Sequence, residues 1–277
     1  MSAQPKLDNA ASPRPPVTLT KLMAMKQAGE KLVMLTCYDA SFAALMDQCG
    51  VDILLVGDSL GMVVAGYDST LPVTMEQMVY HTECVVRGAK RPWIVADMPF
   101  GSYQKNMEQA YANASRFLSA GAHMVKVEGG QWLIPTIEFL ATRDIPVCGH
   151  LGLTPQSVHA LGGYRVQGKT EEAAQRLQKE ALALENAGAR LLVLEAIPQT
   201  LGTATSAALK IPTLGIGAGP SCDGQVLVMH DLLGVYPGKK ARFVKNFMEG
   251  ATSIEAAFTN YVNAVKRLEF PAPEHCF

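Results

Sequence analysis

The chain is poor in charge and in the signatures that usually announce a chemistry. Only 18% of its 277 residues are charged, and 24 basic residues meet 25 acidic ones for a formal net charge of -1. That balance gives no electrostatic argument for nucleic acid or a membrane surface as partner. No uninterrupted apolar run approaches the length of a membrane span. The six cysteines, Cys37, Cys49, Cys84, Cys148, Cys222 and Cys276, include no CxxC pair. Several lie in apolar runs such as IPVCGH and read as reduced, small hydrophobes of a cytoplasmic protein. The closely spaced histidines of a zinc site are missing. So is the early GxGxxG loop of nucleotide-binding doubly wound sheets. Residues 1–16 are proline-rich with no apolar core, so a loose tail is expected there rather than a signal peptide.

What is present is a compact α/β pattern, with hydrophobic residues at 48%. Short β-rich runs alternate with longer helical ones. The strand candidates are 33–36, 51–57, 92–98, 123–129, 146–151, 189–196 and 212–217, with a weaker eighth near 226–229. Near-continuous apolar runs of this length suit strands buried on both faces, as in parallel sheets. Thr74-Met75-Glu76-Gln77 is a capping-box pattern, and Asn106 to Gln109 resembles one. A long amphipathic helix is expected over 170–187, ended by Gly188. Alternation repeated to about eight units favours a single-domain (β/α)₈ TIM barrel over residues 17–267, with an open doubly wound sheet as the alternative. Residues 268–277 read as surface chain. The units echo one another: Ala120-Gly121-Ala122 leads through a strand to Glu128, Ala187-Gly188-Ala189 to Glu195, and Gly50 to Asp58.

Each echo places an acid at the carboxyl end of a strand, where barrel active sites lie. Asp58, Asp97 and Glu128 follow consecutive strands, so their carboxylates can converge. Three close carboxylates repel one another and call for a cation. An all-oxygen set suits a hard ion such as Mg²⁺, which keeps several waters. The competing reading is that each acid caps a helix or closes a turn. Lys126 has the same parity as Glu128 and faces the barrel interior beneath it, where it neutralises the acids or binds a substrate carboxylate. A Schiff base there is disfavoured, because neighbouring carboxylates hold the proton on the amine. Glu195, framed by Leu194, Ala196 and Ile197, ends the sixth strand on the far side of the mouth and suits a general base. His150 ends the fifth strand; packing is the larger expectation for a lone histidine, catalysis the smaller. Ser59 is placed to donate to an anion, and a serine-hydrolase role is not adopted for it. The glycines of GIGAGP (215–220) fit a phosphate loop or a tight turn equally well. The basic stretch 239–245 reads as a solvated face or as a contact for an anionic substrate tail.

Together these blocks resemble the ketopantoate hydroxymethyltransferase family. The resemblance runs from Val17 to about Phe247, through MLTCYDASFA, LLVGDSLGMVVAGYDSTLPVTMEQM, VADMPFGSY, VKVEGG, GHLGLTPQSVHALGGYRVQGK, LEAIP, GIGAGPSCDGQVLVMHDLLG and ARFVKNF. It implies a cytoplasmic, magnesium-dependent barrel, typically a homodecamer, in pantothenate biosynthesis. Such an enzyme moves a hydroxymethyl unit from 5,10-methylenetetrahydrofolate to 3-methyl-2-oxobutanoate. By the same resemblance Asp58, Asp97 and Glu128 match the metal-associated acids and Glu195 the catalytic base. Asp58, Ser59, Asp97, Lys126 and His150 match positions at the substrate. A carbon–carbon lyase on the same barrel is the rival enzyme reading, although Cys148-Gly149-His150 lacks the lysine of its usual KCGH-like loop. A barrel serving only as a binding scaffold would have no need of four mouth acids and Lys126.

Overall fold

The computed structural model describes residues 14–277, so most of the tail expected over 1–16 lies outside the described residues. Eight parallel strands close into a barrel in sequence order: β1 (Leu32–Thr36), β2 (Ile53–Val56), β3 (Trp93–Asp97), β4 (Met124–Glu128), β5 (Val147–Gly152), β6 (Leu191–Glu195), β7 (Thr213–Ile216) and β8 (Gly224–Leu227). β1 pairs with both β2 and β8, which removes every sheet edge. The open doubly wound sheet is thereby excluded.

Period-two alternation divides the apolar residues into two cores. Leu54, Val56, Val125 and Val127 face outward onto the helices. Met34, Ile53, Val95, Met124, Leu191 and Leu214 face inward and fill the barrel. The helix Leu19–Gln27, capped by Thr18, precedes β1 and adds Leu22 and Met25 to that inner core. It therefore closes the amino-terminal end, leaving the carboxyl-terminal end open.

The expected helix signals act locally. Thr74 and Gln77 form the reciprocal capping box of Met75–Gly88. Asn106 accepts from the Gln109 N–H at the head of Met107–Ser119, but the Gln109 amide donates to the Gly101 carbonyl instead of returning to the cap. Thr170 caps Glu171–Asn186. Gly121 and Gly188, at φ of 99° and 108°, turn two helices into β4 and β6. A side chain at either would meet left-handed strain, and would also collide with Val86 at Gly121 or Ala141 at Gly188.

Three expectations shift. The eighth strand begins two residues earlier, at Gly224, and Val228 already caps the short helix Met229–Leu232. Gly224 lies so close to Leu32 and Leu214 that no side chain fits, which is why an unpromising Gly-Gln pair starts a strand. His150 lies inside β5 rather than at its end. Residues 268–277 pack against the barrel: Phe270 and Cys276 are buried, and the Phe277 carbonyl accepts from the Gln199 N–H. The stretch is short on periodic pattern, so its aromatic anchors carried the only signal.

Candidate active site

Strand parity and register assemble the site. Met124, Lys126 and Glu128 share the inward face of β4, and pairing sets Asp97 beside Lys126 and Glu128 beside His150. Asp97, Glu128 and Glu195 are the last residues of their strands, while Asp58 sits two residues past β2. Ala196, directly after Glu195, has φ of 46°, a left-handed conformation that is strained for a residue with a Cβ. Its N–H donates to Ile216 O and its carbonyl accepts from Gln167 N–H, which holds the turn in place.

The side chains form one connected network. Lys126 Nζ lies 2.6 Å from Asp97 Oδ1 and 3.6 Å from Glu128 Oε1. Asp97 Oδ2 accepts from the Asp58 N–H at 3.0 Å. His150 bridges two acids, with Nδ1 at 3.2 Å from Glu128 Oε1 and Nε2 at 3.2 Å from Glu195 Oε2. Glu195 is thus not isolated across the mouth, as the sequence implied, but tied to Glu128 through the histidine. Ser59 Oγ lies 2.9 Å from the Tyr38 hydroxyl. Gly57 to Gly61 spells GxSxG, the pattern of a serine nucleophile, but the partner of the Ser59 hydroxyl is a tyrosine and not a histidine base.

Burial and charge set the protonation states. Burial, reinforced by Asp97 and Glu128, pushes the Asp58 carboxyl well above the usual carboxylate range. Glu128 is held low: burial opposes ionisation, but His150 and then Lys126 outweigh it. Burial also works against charge on His150 and Lys126. The carboxylates around them prevail, raising His150 to about 9 and the Lys126 amine above its ordinary value. Four acids then share the cavity floor with two cations, so acidic groups outnumber basic ones there.

Two residues missed by sequence reading complete the floor. Gln156 donates through Nε2 to Asp58 Oδ2 and Met98 O, both at 2.9 Å, and through its backbone N–H to Glu128 Oε2 at 3.0 Å. The Tyr103 hydroxyl lies 2.7 Å from Gln156 Oε1 and accepts from the Glu128 N–H at 3.0 Å. Gln156 lies in the GHLGLTPQS block; its only sequence signal is its nearness to His150.

The cavity above this floor measures about 870 Å³. Its outer wall carries Tyr164, Arg165, Tyr236, Lys239, Lys240 and Arg242, so part of the basic stretch lines the mouth. The GIGAGP glycines serve the tight turn instead: Phe243 and Phe277 occupy the space where a Gly217 side chain would stand. Cys148 is buried within β5 and its thiol is pushed up to about 12, chiefly by burial, so it supplies no reactive group at the mouth.

The donor set fits a hard divalent cation in part. Both Glu128 oxygens are engaged, by His150 and by the Gln156 N–H. Asp58 keeps Oδ1 uncommitted among the described hydrogen bonds, and Asp97 Oδ1 meets only the Lys126 amine. Among the described residues no three Asp, Glu, His or Cys side chains converge tightly enough to surround an ion unaided. Asp58 and Asp97 as ligands, with water and substrate oxygens filling the remainder, suit Mg²⁺ better than a site built from protein alone. Glu128 would then act at one remove.

Fold and floor together define a (β/α)₈-barrel enzyme with its polar machinery at the carboxyl ends of the strands. The chain belongs to the ketopantoate hydroxymethyltransferase family, whose model matches residues 16–273. It is 64% identical over 263 residues to a 3-methyl-2-oxobutanoate hydroxymethyltransferase of Azoarcus sp. (strain BH72), covering 95% of this chain and 97% of that protein. It is 62% identical, with the same coverage, to the protein of that name from Aromatoleum aromaticum. Among solved structures it resembles a putative phosphonomutase from Burkholderia cenocepacia, with a TM-score of 0.62 at 16% identity over 78% of this chain and 94% of that one. A phosphonopyruvate hydrolase gives a TM-score of 0.59 at 16% identity over 78% and 83%. At such identities the likeness is one of fold. Among the described residues no helix is long and apolar enough to cross a membrane.

Proposed function

We propose that the chain transfers a hydroxymethyl group from 5,10-methylenetetrahydrofolate to 3-methyl-2-oxobutanoate, forming 2-dehydropantoate and tetrahydrofolate for pantothenate synthesis. The carrying observation is that Glu195 faces the same cavity as Asp58, Asp97 and Lys126, with His150 Nε2 standing 3.2 Å from its carboxylate. Mg²⁺ held at Asp58 and Asp97 would act as a Lewis acid toward the 2-keto acid.

Each side chain has a part in this scheme. The Lys126 ammonium and Ser59 hydroxyl bind and orient the keto acid, which lowers the entropic cost of alignment. Glu195 accepts the proton from C3, and the imidazolium of His150 holds it in position to do so. The carbon left behind bonds to the one-carbon unit as that unit leaves its folate nitrogens. Water supplies the hydroxyl oxygen. The C3 proton and one water proton end on the two nitrogens, and the second water proton stays on the new hydroxyl. Cytoplasmic action is supported by the six unpaired cysteines. Decameric assembly would give the exposed Tyr80, Phe100 and Trp132 surface to bury against.

The test is C3-proton exchange of 3-methyl-2-oxobutanoate in D₂O with Mg²⁺, followed by NMR. Exchange that requires protein and metal is expected. Glu195→Gln should slow it by about a hundredfold or more with keto-acid binding retained. Neither exchange nor folate-dependent product would sink the proposal.

A further inference from the structure

One acid of the cavity has no part in that scheme. Asp231, on the short helix Met229–Leu232 after β8, lines the same cavity, yet among the described residues its carboxylate has no hydrogen bond or ion pair. The four floor acids all have side-chain partners. We infer that Asp231 and the rim formed by Arg165, Lys239, Lys240 and Arg242 are the subsite for the one-carbon donor. Asp231 takes the paired N–H edge of its pterin ring, and the rim takes the carboxylates of its glutamate tail. This rests on the hydroxymethyl-transfer reading and names the second half of the same site.

The chemistry of the two substrates makes the division. A half-buried carboxylate without donors costs free energy until a ligand brings them. The keto acid offers anionic and carbonyl oxygens, all acceptors, so Asp231 repels it. The 2-amino group and N3–H of a pterin present two adjacent donors that match two carboxylate oxygens. Burial raises Asp231 to about 6, and only the field of Lys240 opposes this; a pair of donors would stabilise the ionised form.

Placement agrees with delivery to the floor. The Tyr38 ring lies 5.5 Å from that of His230, the residue before Asp231, and its hydroxyl meets Ser59 beside Asp58. A tail carrying several carboxylates is disfavoured by the acid-rich floor and attracted by the basic rim, which turns the ring inward and the tail outward. Arg242 is already steadied there, with its guanidinium 5.1 Å from the centre of the Phe277 ring. About 870 Å³ is room for a second ligand above a five-carbon acid.

Steady-state kinetics with 5,10-methylenetetrahydrofolate bearing one or five glutamates tests both ends. Asp231→Asn should raise the donor KM about tenfold or more while the keto-acid KM stays within about twofold. Reversing the exposed pair, Lys239→Glu with Lys240→Glu, should raise KM for the pentaglutamate about fivefold and for the monoglutamate far less. An unmoved donor KM in Asp231→Asn, or equal effects on both tail lengths, overturns the subsite. C3-proton exchange without folate separates the two ideas. Its absence in the unmodified protein defeats the parent reading, whereas normal exchange with unmoved donor KM values defeats only this one.

Discussion

His150 shows how much a single residue can depend on partners that its own sequence neighbourhood does not name. It stands in an apolar strand, where a packing role is the ordinary expectation, and β5 register instead sets it between Glu128 and Glu195. Held between them, it keeps its proton to about 9. An unfolded histidine titrates near about 6.5. The stabilisation it supplies is therefore complete below about pH 6.5 and is lost as pH rises through 9. NMR titration should show the His150 ring changing state near 9, and denaturant midpoints should fall over the same interval; a ring midpoint near the ordinary value would contradict the bridge. Asp58, Asp97, Glu128, Lys126 and Glu195 were legible as candidates because charged residues at strand ends stand out against apolar runs. Gln156 and Tyr103 were not. Both are uncharged and belong to no periodic run, Tyr103 in a loop and Gln156 in the short 3-10 turn Pro155–Ser157, and the contacts that matter join Gln156 to residues far away in the chain, such as Asp58 and Met98.

At the scale of elements, the strands with strong apolar runs were readable, and the exceptions have a common cause. β8 starts on Gly224-Gln225, chosen by close approach to β1 and β7 rather than by hydrophobicity. Gln225 is buried because its amide reaches the Gly219 carbonyl at 3.1 Å. The β6 turn carries a different feature, invisible in composition: Ala196 at a φ of 46°. Replacing a left-handed alanine by glycine relieves about 1 kcal/mol of strain but adds unfolded-state freedom. Ala196→Gly is expected to leave stability unchanged or raise it by about 1 kcal/mol in urea unfolding, where glycine usually costs stability. It should also slow C3-proton exchange severalfold, because the turn that aims Glu195 is loosened. A clear loss of stability would show that the turn is not strained.

For the whole molecule, a formal charge of -1 conceals a strong separation. The floor gathers four acids around two cations, and the mouth gathers Arg165, Lys239, Lys240 and Arg242. No one-dimensional count reports this, since floor and mouth draw on residues from Asp58 to Arg242. The helix Leu19–Gln27 adds a further constraint, because Leu22 and Met25 seal the inner core and the described cavity opens at the carboxyl-terminal end of the barrel. Two occupants of a well open at its carboxyl-terminal end impose a queue. On the proposed reaction the keto acid, bound at the floor, arrives first, and the folate above it departs before the new product. Product-inhibition kinetics should then show 2-dehydropantoate competing with 3-methyl-2-oxobutanoate and tetrahydrofolate failing to do so. A random-order pattern would mean that the well has a second way out.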